Sequence, residues 1–389
     1  MATQDDVARL LCAIDEIGPL VRGQAAEAER RAALSDDVVA DIVRHRLFRL
    51  WIPRRYGGLE LTLPEALEVY QAAARIDGSF GWSVMIGAGG GLFAAYLDPD
   101  RALEIFGPAA AVIAGSGAAD GRAERVDGGY RVSGRWRYAS GAPYATTFTA
   151  NCVVTTGGEP VRDAAGSPLV RAMSFPRGDV EIIETWDTTG MRATASHHFR
   201  VDDVFVPERN TFSVFTDAPL EPGPLYRLPF EVLTELPITA VAVGIARHAL
   251  DAFKVLAAQK TPYGAAAVLA DDPLALAAFA RAHAAWRAAE RVTFDLAERA
   301  WRSAVDGRAL GMDERAEITA ACTHGVATLQ EATGELVTLA GMTGVEQASE
   351  LGRAGRDLAT LAAHFSVAPR QLARAGGELL RAPSDVSRS

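Results

Sequence analysis

The sequence predicts an α+β fold in three parts: an N-terminal helical domain over residues 1–111, a central antiparallel β-domain over 112–208, and a linker with a C-terminal helix bundle over 209–389. Three observations carry this. Apolar residues recur at helical spacing up to about residue 110. Short runs rich in Val, Thr, Tyr and Phe then alternate with Gly-rich turns. From about 230 the chain is Ala-, Leu- and Arg-rich with long amphipathic periods. No βαβ alternation is visible, which argues against a Rossmann or barrel enzyme.

The elements follow in order. Val7, Leu10, Leu11, Ile14 and Ile17 share a helical face, and Gly18-Pro19 stops the run. Ser35 is the N-cap of a second helix with Val38, Val39, Ile42 and Val43 on one side. Pro53 to Gly58 is a turn, and Pro64 suits the start of a third helix. Gly78 to Leu97 is apolar all round and reads as a buried helix, ended by Asp98-Pro99. Strands are expected at Tyr130–Trp136, Phe148–Thr155, Arg171–Phe175 and His197–Val206, with a hairpin turn at Asp127-Gly128-Gly129. Pro207 to Pro229 is a proline-rich linker. Three or four long helices follow, broken at Thr261–Gly264, Asp271–Pro273 and Gly307–Gly311.

Composition narrows the function classes. The 389 residues are 49% hydrophobic and 23% charged, as in a soluble globular protein and unlike a disordered chain. A net charge of −10 repels polyanions, which makes nucleic acid and anionic membrane surfaces poor partners, and neither is expected. Cys12, Cys152 and Cys322 are too few and too far apart for a disulfide framework or a zinc site, as expected of a reduced, cytoplasmic chain. The acidic start, Met1 to Asp6, is not a signal peptide, and Trp82 to Leu97 is too short and glycine-interrupted to span a membrane.

Several motifs are set aside. Gly87 to Gly91 has helical flanks and Leu92 at the third-glycine position, so it is a packing motif rather than a nucleotide loop. The adjacent His197 and His198 point to opposite faces of a strand, wrong for one metal, and no metal site is expected. No Gly-x-Ser-x-Gly elbow is present.

Five strings recur in one family in this order: Asp77-Gly-Ser-Phe-Gly-Trp82; Gly128-Gly-Tyr-Arg-Val-Ser-Gly-Arg-Trp-Arg-Tyr-Ala-Ser-Gly141; Trp186-Asp-Thr-Thr-Gly-Met-Arg192 with Val201–Pro207; Lys260-Thr-Pro-Tyr-Gly264; and Gly355-Arg-Asp357 with His364–Pro369. Across nearly its whole length the chain resembles the acyl-CoA dehydrogenase superfamily, and within it the flavin-dependent monooxygenase branch, the two-component hydroxylases. The resemblance implies a C-terminal four-helix bundle. Dehydrogenases take an α-proton with a glutamate that, in the main subgroup, follows an Arg-Asp pair. Here the count from Arg356-Asp357 reaches His364, Phe365 and Ser366, none of which can serve as that carboxylate base. Lys260 stands where many dehydrogenases use an arginine on the flavin pyrophosphate, a looser grip that suits a flavin arriving reduced and leaving oxidised. Its plain alternative is a helix C-cap.

The resemblance further implies roles for particular residues. Ser140, before Gly141, occupies the place of the hydroxyl at flavin N5; as a turn serine it would bond its own backbone. Trp136 is a candidate to cover the isoalloxazine, or else a β-core aromatic. Arg192 and Ser196 line the cofactor site or a solvated turn. His364, on a helix facing the flavin, would deprotonate the substrate or hydrogen-bond the peroxide; otherwise it is a packed helical residue. Trp82 would stack an aromatic substrate or fill the core. Arg356 and Asp357 read as a structural ion pair.

The implied activity is reduced-flavin-dependent monooxygenation: hydroxylation or N-oxidation of a small aromatic or natural-product substrate through a C4a-hydroperoxyflavin. The cofactor is reduced FAD or FMN, with FAD favoured, and molecular oxygen is cosubstrate. No nicotinamide-binding fingerprint is present, so a separate flavin reductase is the implied partner. Relatives form homotetramers around the C-terminal bundle, and Leu276, Phe279, Trp286 and Phe294 offer a face for that. The alternatives are an acyl-CoA or acyl-carrier-protein dehydrogenase with a displaced base, and a scaffold that has lost its flavin.

Overall fold

Helix α1 (Gln4–Arg31) opens the computed structural model, which describes residues 4–381. Residues 1–3 and 382–389 lie outside the described residues, and with them part of the acidic start and the end of the C-terminal domain. The stop expected at Gly18-Pro19 does not occur: α1 runs through Pro19. An interior proline costs about 3 kcal/mol. The buried stripe of Leu10, Ile14, Ile17, Val21 and Ala25 continues on both sides of it, at ~1.5–3 kcal/mol for each large aliphatic, and wins.

The Ser35 cap holds, its Oγ accepting the Val38 N–H at 3.3 Å at the start of α2 (Asp36–Arg44). Helix α3 (Leu63–Ile76) begins with a Thr62–Glu65 capping box and Pro64 in its first turn. Asp77 caps α4 (Gly78–Gly89), accepting the Phe80 N–H at 3.0 Å. The glycine run is close packing, as expected: a Cβ on Gly87 would lie 2.3 Å from the Phe48 ring. A 3₁₀ turn, Gly90–Ala95, and helix α5 (Pro99–Phe106) complete this part.

The central sheet comprises β1 (Ile113–Val126), β2 (Gly129–Ala139), β3 (Thr147–Thr156), β4 (Glu159–Pro160), β5 (Val170–Pro176), β6 (Glu181–Ile183), β7 (His197–Pro207) and β8 (Thr211–Phe212). Their order is β6-β7-β2-β1-β3-β5-β8, with β4 on β3. It is mixed rather than antiparallel throughout, because β1 and β3 run parallel from Ile113↔Thr147 onward. After β2 the chain crosses back to the start of β1, where Val112 O accepts the Thr146 N–H at 3.0 Å, so β3 sets out in the direction of β1.

The C-terminal part comprises α6 (Val232–Gln259), α7 (Pro273–Val305), α8 (Met312–Leu339), α9 (Met342–Val345), α10 (Glu350–Ala362) and α11 (Arg370–Arg381). The three expected breaks fall between helices. Helices α6, α7, α8 and α10 form the bundle, and α11 packs on α8. Among the described residues α6 is the one helix long and apolar enough to cross a membrane, and 83% of its apolar window is buried inside the protein.

The three stretches of chain surround two main cores. One belongs to the sheet; the other is shared by α1–α4 and the C-terminal bundle, with α3 packed along α6. The face expected on α7 for assembly turns largely inward. Trp286 is buried between the guanidiniums of Arg247 and Arg287, and Phe279 stacks on Phe253; Leu276 stays exposed.

Candidate active site

Two turns at one end of the sheet build the site. Strand β2 loses register between Trp136 and Ala139, with Tyr138 at φ +69° and Gly141 at φ +76°. The segment before β7 holds Met191 at φ +53° and Ala195 at φ +47°. Three of the seven described non-glycine residues with positive φ therefore flank one spot, and such strain persists only where the surroundings over-determine it. The turns are tied by the Gly141 N–H donating to Thr194 O at 2.9 Å.

Between them runs a buried row of hydroxyls. Trp82 on α4 donates its Nε1–H to Ser140 Oγ at 3.0 Å. Ser140 Oγ lies 2.7 Å from Ser196 Oγ, and Ser196 Oγ lies 2.6 Å from Thr194 Oγ1. Thr194 donates to Met191 O at 2.8 Å. The structure thus brings together Trp82, Ser140 and Ser196 of the predicted residues.

His364 joins them from the other side, its ring edge-on to Trp82 at 5.4 Å between centroids. It is not on a helix, as expected, but just past α10, capping a short turn. Its Nδ1 accepts the Ser366 N–H at 3.3 Å, so the neutral ring carries its proton on Nε2. Burial pushes its pKa down to about 4. The half-buried imidazole is therefore neutral near pH 7 and offers an N–H rather than a lone pair, which favours the hydrogen-bonding role over deprotonation.

Other predicted residues lie elsewhere. Trp136 points into the sheet core, stacked on Phe199 at 5.2 Å with its Nε1–H on Asn151 O; strand alternation turns it away from the site. Lys260 gives its ammonium to Ala340 O and Thr343 Oγ1, both at 2.7 Å, capping the end of α8 as the plainer reading had it. Arg192 fastens its own turn, donating to Glu29 O and pairing with Asp187. Arg356 and Asp357 do not pair with each other, because successive helical residues face different sides. Arg356 pairs with Glu29, while Asp357 Oδ1 accepts the Met191 N–H at 2.5 Å.

Sequence reasoning missed four contributors. Tyr138, 61% exposed, packs edge-on against Trp186 and His198 and forms an aromatic wall beside Ser140. Thr194 completes the hydroxyl row; its spacing of two from Ser196 was the available signal. Trp186 donates its Nε1–H to Met191 O at 2.9 Å. Asp357 anchors Met191 from within a buried charged cluster, where Arg353 lies 3.4 Å from Asp77 and 3.9 Å from Glu29. Burial and the nearby Asp77 raise the Asp357 pKa, disfavouring its charged form. Gly190 lets α10 approach this turn: a Cβ there would lie 2.1 Å from Arg356 O.

The donor set suits a flavin. Ser140 Oγ keeps a lone pair after accepting from Trp82, and an aromatic wall stands beside it. His364 stands where a dehydrogenase base was expected, and a displaced base is not found at Glu235, the buried glutamate of α6, which is engaged by Thr319 and Arg374.

Comparisons with known proteins give the chain's relatives. The family model described as acyl-CoA dehydrogenase, C-terminal domain, matches residues 236–369. Indole-3-acetate monooxygenase of Pseudomonas putida is 33% identical over 88% of this chain and 86% of its own. The oxygenase subunit HsaA, a flavin-dependent monooxygenase of Mycobacterium tuberculosis, is 30% identical over 80% of this chain and 85% of its own. The solved structure of XiaF from a Streptomyces species, in complex with FADH2 and glycerol, superposes with a TM-score of 0.88 at 26% identity, covering 98% and 96% of the two chains.

Proposed function

The chain belongs to the flavin-dependent monooxygenases of acyl-CoA dehydrogenase fold, and from that premise we propose that it is the oxygenase component of a two-component system acting on a small aromatic substrate. The carrying observation is the buried Ser140 hydroxyl held by Trp82 and Ser196, with the neutral imidazole of His364 edge-on to the same Trp82 ring. Reduced flavin, when bound, supplies the activation of molecular oxygen. FAD is favoured over FMN, supported by the FADH2 held by XiaF. Ser140 and Gly141 hold the N5 edge, and Tyr138 rather than Trp136 covers the ring system. Ser196 assists through Ser140. Trp82 and His364 wall the substrate side: the indole gives a flat apolar face and the imidazole an Nε2–H that fixes a substrate oxygen or nitrogen. The relative acting on indole-3-acetate supports an aromatic substrate.

A flavin reductase is the functional partner and the cytoplasm the place of action. With NADH and FAD alone the purified protein should be nearly inactive, and adding a flavin reductase should restore turnover. Robust turnover without a reductase would rule out this reading. The assembly is a homotetramer, a reading supported by the exposed apolar side chains Met312, Met342, Phe365, Leu379 and Leu380 of the C-terminal part, whereas Trp286 is buried. Light scattering should give four times the 41.3 kDa chain; a monomer at micromolar concentration would refute it.

A further inference from the structure

The row Ser140–Ser196–Thr194 has a fixed direction, and direction decides which redox form of a flavin it can hold. Its far end is Met191 O, a pure acceptor. A hydroxyl has one proton, so Thr194 spends its proton on that carbonyl and can only accept at its other contact. Ser196, 2.6 Å away, therefore donates to Thr194. Ser196 in turn can only accept from Ser140 at 2.7 Å, so Ser140 donates to Ser196. At the near end Trp82 Nε1–H can only donate, and it does so to Ser140 at 3.0 Å. Ser140 is left with no proton to give and one lone pair to offer.

The carbonyl that sets this direction is itself held. The Met191 N–H is fixed by Asp357 at 2.5 Å, and Met191 O also receives the Trp186 Nε1–H at 2.9 Å. The Thr194 N–H donates to Met191 O as well, at 3.2 Å, so two donors besides the Thr194 hydroxyl hold this carbonyl as an acceptor, and Met191 itself sits in the left-handed region.

N5 of a reduced flavin bears a hydrogen; N5 of an oxidised flavin is a lone pair. We infer that the polarised hydroxyl row makes Ser140 an obligate acceptor, so that the site selects reduced flavin over oxidised flavin, with Ser196 and Thr194 as the positioning residues that set this selectivity. The inference rests on the placement of N5 at Ser140 proposed above. Reduced flavin gains a hydrogen bond there, whereas oxidised flavin brings a lone pair against a lone pair. The release of oxidised flavin, expected at Lys260 from sequence, then belongs to this row.

The test is anaerobic calorimetric titration of the full chain with dithionite-reduced FAD and, separately, with oxidised FAD. The parent should bind the reduced form at least about tenfold more tightly, the worth of one hydrogen bond made or denied in a buried site. Ser196→Ala frees the Ser140 proton, and the ratio of the two dissociation constants should fall toward one. Thr194→Val should do the same by letting Ser196 turn and donate to Ser140, whereas Thr194→Ser, which keeps the hydroxyl, should retain the parental ratio. If Ser196→Ala does not fold, the Thr194→Val and Thr194→Ser pair decides. A parental ratio near one, or a ratio unchanged in both Ser196→Ala and Thr194→Val, overturns the polarity argument. If Ser140→Ala binds reduced FAD as tightly as the parent, the placement of N5 at Ser140 fails instead, and the inference with it.

Discussion

Replacing His364 with alanine separates oxygen transfer from flavin binding. The side chain touches Trp82, not the hydroxyl row, so reduced-FAD affinity should be unchanged. With a pKa of about 4 the ring is charged in only about one molecule in three thousand at pH 7.5, so it acts as a neutral N–H donor. A hydrogen bond to a group that carries charge is worth about 1.5–3 kcal/mol, or roughly 10–150-fold. His364→Ala should lose product formation by that factor while oxygen consumption continues, with hydrogen peroxide appearing instead. His364→Gln, which retains an N–H donor, should recover part of the loss. The assay is product yield against peroxide yield per reduced FAD consumed, across pH 6 to 8. Wild-type yield in His364→Ala would reduce the residue to packing. A kinetic ionisation near pH 6.5 that vanishes in His364→Ala would refute the neutral-donor argument, since an imidazole held at about 4 does not titrate there.

Burial raises the Glu235 pKa from 4.5 to about 7, so the folded protein binds the extra proton between those values and stability falls as pH rises through that window. Glu235→Gln should raise the melting temperature at pH 8 and leave it unchanged at pH 4.5; an equal effect at both would exclude titration as the cause. Asp357→Asn, which replaces the carboxyl with an uncharged amide of the same shape, should keep near-parental stability. Asp357→Ala strands the Met191 N–H at a cost of about 1–3 kcal/mol, and comparing the two by chemical denaturation checks it; equal losses would show that Asp357 acts as a charge.

Local patterns predicted the elements well because capping and amphipathicity are written within a few residues: Ser35 caps its helix, and Pro64 stands in the first turn of the next. The run through Pro19 was not legible, since it depends on what α1 packs against. Nor was the parallel pairing of β1 with β3, because no local string encodes which strand edge a returning chain meets. At the site, Ser140, Ser196 and Trp82 were legible through a resemblance of strings. Their mutual hydrogen bonds were not, since they join residues 56 and 58 positions apart. Trp136 and Tyr138 show the limit most clearly: a backbone irregularity between them leaves Trp136 in the sheet core and Tyr138 beside Trp186 and His198, and no local string encodes it.

The buried cluster of Glu29, Asp77, Arg353, Arg356 and Asp357 bears on how such a chain can be taken apart or recombined. Its members come from α1, the start of α4 and α10, and through Met191 it also grips the turn before β7. A fragment lacking any one of these pieces leaves ionisable groups facing an apolar core without their counterpart. The three stretches that look like modules in the sequence are therefore not exchangeable parts. A sheet borrowed from a relative must bring to position 191 a backbone N–H, a left-handed turn and a side chain that fits the core, and α10 must bring an acceptor at position 357.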